Sequence, residues 1–142
     1  MDERATTPQQ SAARLKEVVE EILGEVNRMP PELVSWKPAA DVWSVLENLC
    51  HIDEFVPFWT GEALNVVRDP TRTWGRDHTD TRRLAAVEAA STRTLPDVER
   101  SIRTGAAEAA AKLSVLREAD LQIEAVSKNP RWGYQAGRRH RR

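Results

Sequence analysis

Apolar and polar residues follow the period of an α-helix in three separate segments of this chain. In the first segment the apolar positions recur at spacings of three and four, which places them on one helical face: Leu15, Val18, Val19, Ile22, Leu23 and Val26. We expect this helix to begin near Thr7-Pro8 or at Ser11, because proline suits a first helical position, where its missing N–H is not needed. Pro30-Pro31 should end it.

The second segment opens with a helix-capping signal. Ser44 and Glu47 fit a capping box, in which the hydroxyl accepts from the Glu47 N–H and the carboxylate accepts from the Ser44 N–H. Helically spaced apolar residues follow, and the helix should end near Arg68-Asp69-Pro70. Pro57 lies inside it, and its ring would clash with the carbonyl four residues earlier, so we predict a kink or break near residues 53–57.

The third segment predicts a long helix that begins at Thr94 and is preceded by a short, weaker helix over about residues 80–92. Residues 69–79 should form a loop. From residue 135 to residue 142 no aliphatic side chain larger than alanine occurs. The pattern therefore predicts an all-α fold with three long helices and no fourth.

Two tryptophans flank the connection between the first two long helices. Residues 30–43 should form an extended connector, since Pro38 disfavours helical geometry at Lys37. We expect Trp36 and Trp43 to pack over one end of the core. A turn should follow much later, at residues 129–134, where Asn-Pro and Trp-Gly pairs occur.

Composition and charge favour one globular domain. The chain has 142 residues, of which 40% are hydrophobic and 30% charged, and its net charge is −1. Five arginines and no acid occur between residues 131 and 142, which leaves the first 130 residues with a net charge of −6. We expect an N-terminal tail at 1–10, a helical domain at 11–134 and a basic, disordered tail at 135–142. An acidic body argues against nucleic acid as a partner.

A single cysteine and a polar N-terminus indicate the compartment. Cys50 has no cysteine to pair with, which fits a reducing environment, and no apolar run approaches the ~20 residues that span a bilayer. We therefore predict a cytoplasmic protein with no membrane association. Cys50 itself should be a buried structural thiol.

His51 is the first candidate for metal chemistry. It lies inside the second predicted helix, and Glu54 follows at i+3, so one helix could offer two ligands to one ion. The alternative is a partly buried histidine that is bonded to a backbone carbonyl or to Glu54. His78 and His140 stand apart, and no His-x-x-x-His pair occurs. The catalytic residues stay unassigned.

Several of these motifs together resemble the DinB-like superfamily, the DinB/YfiT group of metalloenzymes. The matching elements are Trp36-x-Pro38, Trp43-Ser44, His51-Ile52-Asp53 and the turn Asn129-Pro130-Arg131-Trp132-Gly133. The resemblance covers residues 11–134 and implies an up-down-down-up four-helix bundle.

The resemblance also implies a metal-dependent activity. Family members bind a divalent metal, often zinc or nickel, through three histidines, and the one on the second helix matches His51. The other two come from a His-x-x-x-His pair on a fourth helix. Relatives include thiol-dependent transferases, such as mycothiol-dependent isomerases, and hydrolase-like proteins, so a low-molecular-weight thiol or another small molecule is the expected substrate.

The chain departs from this family pattern after Gly133, where nine residues remain. We therefore expect the fourth helix to be missing or very short and the metal site to be incomplete. One hypothesis is a DinB-like thiol transferase or hydrolase with such a site. A second is a non-catalytic helical module that forms a homo-oligomer, a dimer, through the apolar groove that a missing helix would expose. The third, ranked last, is a protein that binds nucleic acid or an anionic surface through its basic tail.

Overall fold

The computed structural model describes residues 6–129 of the chain. This part is helical, with an isolated β-bridge and no β-strand, so the all-α prediction is confirmed. Two single-turn 3-10 segments follow α4 and α5, at Ala89–Thr92 and Glu118–Gln122. The α-helices are α1 (Pro8–Asn27), α2 (Pro31–Val34), α3 (Val45–Arg68), α4 (Thr81–Glu88) and α5 (Leu95–Leu113).

The predicted helix starts follow from local capping. Thr7 caps α1 in a capping box with Gln10, so α1 begins at Pro8, before the predicted domain boundary at residue 11. Ser44 and Glu47 form the predicted capping box of α3, and Thr94 caps α5 through the Asp97 N–H. Each cap satisfies N–H groups that the first helical turn cannot pair internally.

The core forms where the apolar faces of the three long helices meet. Helix α5 packs against both α1 and α3, and α4 packs against α3. Among the described residues, Leu23 of α1, Leu49 of α3 and Val98 of α5 are among the largest fully buried side chains. Three long helices thus surround one core, and the described residues contain no fourth long helix.

Three expectations about the middle of the chain need correction. A kink or break was predicted near Pro57, and α3 continues through this residue without a break. The connector at 30–43 is not extended throughout, because it contains the single helical turn α2. Trp36 does not cover the core, since 59% of its surface is exposed. Trp43 is half-buried and contacts His51.

The predicted loop at 69–79 is hydrogen-bonded to residues 126–128. Trp74 donates its N–H to the Val126 carbonyl at 2.9 Å and accepts from the Lys128 N–H at 2.7 Å. Gly75, at φ +86°, donates its N–H to the buried Glu62 carboxylate at 2.9 Å. These bonds place the loop along α3. The predicted basic tail at 135–142 and nearly all of the turn at 129–134 lie outside the described residues.

No helix in this part of the chain is both long enough and apolar enough to cross a membrane.

Candidate functional site

His51 lies in the second turn of α3, within a row of aromatic rings. Its ring centroid is 5.4 Å from that of Trp43, which comes just before the Ser44 cap, and 5.6 Å from that of Phe55, one turn later. The capping box sets where Trp43 enters the helix, and the i, i+4 spacing brings Phe55 to the same face. His51 therefore lies in contact with two aromatic side chains, Trp43 and Phe55.

The Nδ1 atom of His51 is buried and has no hydrogen-bond partner among the described residues. Burial lowers the pKa of the imidazole, and the positive charge of Arg83 lowers it further, while Glu54 opposes them. A lowered pKa keeps the ring neutral near pH 7. A neutral imidazole nitrogen with no partner can accept a hydrogen bond or bind a metal ion.

Glu54, the second predicted ligand, is paired with an arginine. Its carboxylate forms a two-pronged ion pair with Arg76, in which Nη2 lies 2.5 Å from Oε2. Arg76 is 8% exposed, so this pair is well shielded from water. The structure thus places Glu54 near His51 in the chain but engages its charge with an arginine; its assignment as a ligand stays a prediction.

Arg76 also joins the loop before α4 to α3. Its guanidinium lies 3.9 Å from the centre of the Phe58 ring, and its Nη1 is 3.3 Å from Oδ1 of Asp80. Asp80 in turn caps α4 and pairs with Arg82. The side-chain hydrogen bond from Arg82 is the main cause that lowers the pKa of Asp80 to about 2.

Arg83 extends towards the aromatic row. Its guanidinium lies 4.8 Å from the centre of the Trp43 ring, and its Nη1 donates to the His78 carbonyl at 2.9 Å. No carboxylate within residues 6–129 pairs with it. We name the set Trp43, His51, Phe55 and Arg83 the aromatic–arginine cluster.

No pattern in the sequence distinguishes Arg76, Arg82 or Arg83 from the other arginines of the chain. The sequence shows only a local pattern here. Asp80 stands before a predicted helix, where it indicates an N-cap, and two arginines follow the next residue. Their approach to Phe58 and Trp43 depends on how α4 packs on α3.

Cys50 belongs to the core and is 0% exposed, as predicted for a structural thiol. Burial raises its pKa, although the nearby Arg93 opposes this effect. Arg93 pairs with Asp53 at 2.8 Å, and the Ser101 hydroxyl donates to the same carboxylate at 2.7 Å. This network connects α3 with α5. Reaction of the thiol is disfavoured by its burial and raised pKa.

The described residues do not fit a complete metal site. No group of three or more histidine, cysteine, aspartate or glutamate residues comes together within 6–129. His78 is exposed in the loop, and His140 lies outside the described residues. Among the described residues, His51 is thus the histidine that remains as a candidate metal ligand.

Comparison with known proteins identifies the family. No curated protein and no solved structure is significantly similar to the chain. The sequence profile of the DinB superfamily matches residues 14–139, which is most of the 142 residues. The earlier resemblance is confirmed, and the chain belongs to the DinB superfamily.

Proposed function

We propose that this chain is a divalent-metal-dependent protein of the thiol transferase or hydrolase class, in which His51 supplies one ligand to zinc or nickel. The observation that supports the proposal is the buried Nδ1 of His51, which lacks a partner among the described residues. Buried polar atoms are nearly always paired, and a metal ion would complete this one. Family membership favours the same ion-binding role.

His51 is a better candidate than Glu54 because of what surrounds each group. A metal ion on Glu54 would compete with the Arg76 guanidinium and leave that cation short of its main partner. His51 has an unpaired nitrogen and a neutral ring. The proposal therefore rests on His51.

One imidazole is not a complete site. Zinc takes three or four ligands, so the others would come from outside residues 6–129, from solvent, or from a bound thiol. When bound, a divalent ion lowers the pKa of a coordinated water or thiol, which is the chemistry that a transferase or hydrolase needs.

Metal analysis of the purified full chain tests this proposal. After loading with zinc or nickel and dialysis, we expect about one ion per chain. The His51→Ala variant should lose it, whereas the control His78→Ala, at an exposed loop histidine, should keep it. Circular dichroism should show that both variants fold. Metal that His51→Ala retains, or no metal on the folded wild type, would overturn the proposal.

A second candidate function is that of a non-catalytic module that pairs with a second copy of itself. Three large apolar side chains of the connector are exposed, namely Leu33, Trp36 and Val42. Exposed apolar residues in one short segment of the chain favour an interface. Light scattering should then give a dimer that Trp36→Ser dissociates. The control Val115→Ser, at another exposed apolar residue, should not. A monomeric wild type would reject this candidate.

A further inference from the structure

The charges around the aromatic–arginine cluster leave one arginine uncompensated. Arg76 is paired with Glu54 and Asp80, and Arg82 is paired with Asp80. Arg83, the third arginine beside this face, has no carboxylate partner within residues 6–129. An unpaired guanidinium next to aromatic rings is a ready donor to an anion.

Arg83 is held in place by neutral groups. The His78 carbonyl accepts from one of its five N–H groups, and the Trp43 ring lies against its face. These contacts fix the direction of the side chain but do not neutralise it. A donor that is already ordered loses less conformational entropy on binding than a free surface arginine does.

The cluster provides an apolar wall next to this charge. Trp43 touches both Arg83 and His51, so the guanidinium lies within about 10 Å of the imidazole. Phe55 contacts His51 as well and is 40% exposed. A ligand that fits has a flat apolar body for the rings and a negative group for Arg83.

We propose that Arg83 binds the carboxylate of a small aromatic acid whose ring packs against Trp43 beside His51. The planar fork of a guanidinium matches the two oxygens of a carboxylate better than it matches a compact anion. This inference names the substrate class of the function proposed above. Arg83 would act as a positioning residue, because it holds the ligand near His51.

Binding by the metal-free full chain tests this inference separately from the metal proposal. The chelator-treated protein is titrated with benzoate and with benzamide, its uncharged analogue, by tryptophan fluorescence and calorimetry. We expect saturable benzoate binding and at least about tenfold weaker benzamide binding, since the charged hydrogen bonds are lost. Arg83→Gln should bind benzoate at least about tenfold more weakly than the wild type.

Arg82→Gln is the matched control. It removes the same charge one residue away, from an arginine that Asp80 already neutralises. We expect its benzoate affinity to stay within about twofold of the wild type. Equal losses in both variants would mean that only the general positive field acts, and this result would overturn the inference.

Other results would overturn it as well. Benzoate affinity that Arg83→Gln leaves unchanged would exclude Arg83, and equal affinities for benzoate and benzamide would exclude carboxylate recognition. Inorganic phosphate that binds more tightly than benzoate would exclude an aromatic acid. If His51→Ala loses the metal and Arg83→Gln keeps the benzoate affinity of the wild type, the metal proposal stands and this inference is rejected. If the wild type takes up no metal but binds benzoate in a way that depends on Arg83, this inference stands and the metal proposal is rejected.

Discussion

The carboxylate of Asp80 connects the start of α4 to α3 through Arg76, and its charge should stabilise the fold in a pH-dependent way. Its Oδ1 accepts hydrogen bonds from the backbone N–H groups of Arg82 at 3.0 Å and Arg83 at 3.3 Å. The carboxylate also forms ion pairs with the side chains of Arg76 and Arg82. The Asp80→Asn substitution removes the charge and keeps an oxygen that can cap α4, because asparagine and aspartate are similar N-caps. The variant therefore isolates the electrostatic contribution.

The magnitude follows from the pKa of Asp80, which folding lowers from 3.8 to about 2. The folded state binds this proton more weakly than the unfolded state does. The charge therefore stabilises the fold fully above pH 3.8, and this contribution is lost as the pH falls through about 2. One pKa unit corresponds to about 1.4 kcal/mol, so the full contribution is about 2 kcal/mol. Roughly half should remain near pH 3.

Urea unfolding followed by circular dichroism measures this effect. We expect Asp80→Asn to lower the free energy of unfolding by about 2 kcal/mol near pH 7 and by about half as much near pH 3. Asp41→Asn, at an exposed aspartate, is the control. The reasoning would be refuted by a loss that is the same at both pH values, or by an equal loss in the control.

Two further predictions concern the loop and the core. Gly75→Ala should lower the free energy of unfolding by about 1–3 kcal/mol, because the φ of +86° is strained for alanine and the new Cβ would lie 3.1 Å from a Trp59 ring carbon. Gly61→Ala, with no atom within 4 Å of its Cβ, should not destabilise the fold, and a Gly75→Ala variant as stable as the wild type would contradict the strain. The Cys50 thiol should react with Ellman's reagent at least about a hundredfold more slowly in the native chain than in urea, because it is buried and burial raises its pKa; equal rates would contradict that burial.

Helix positions could be predicted because the signals that set them are local. Ser44 and Glu47 lie within one turn of each other, and their capping box forms as predicted. The apolar spacing of α1 and α5 likewise needs no distant partner to be recognised.

Helix α3 does not break at Pro57 because tertiary packing outweighs a local preference of the backbone. Buried residues occur on α3 both before and after Pro57, including Leu49 and Val66, and the helix packs against α5 and α4. Burial of this kind can offset the cost of about 3 kcal/mol that an interior proline imposes. The expected packing of Trp36 on the core did not occur either, because a large apolar side chain can remain exposed when the tertiary structure offers it no buried position.

Local signals were enough to predict the three long helices, the family resemblance and the position of His51 inside α3, because capping and helical periodicity act within a few residues. The surroundings of His51 depend on tertiary packing instead. Arg76 pairs with Glu54, which comes 22 residues earlier, and Arg83 reaches Trp43 only because α4 packs on α3. Contacts between residues so far apart depend on the fold as a whole, and no local pattern encodes them.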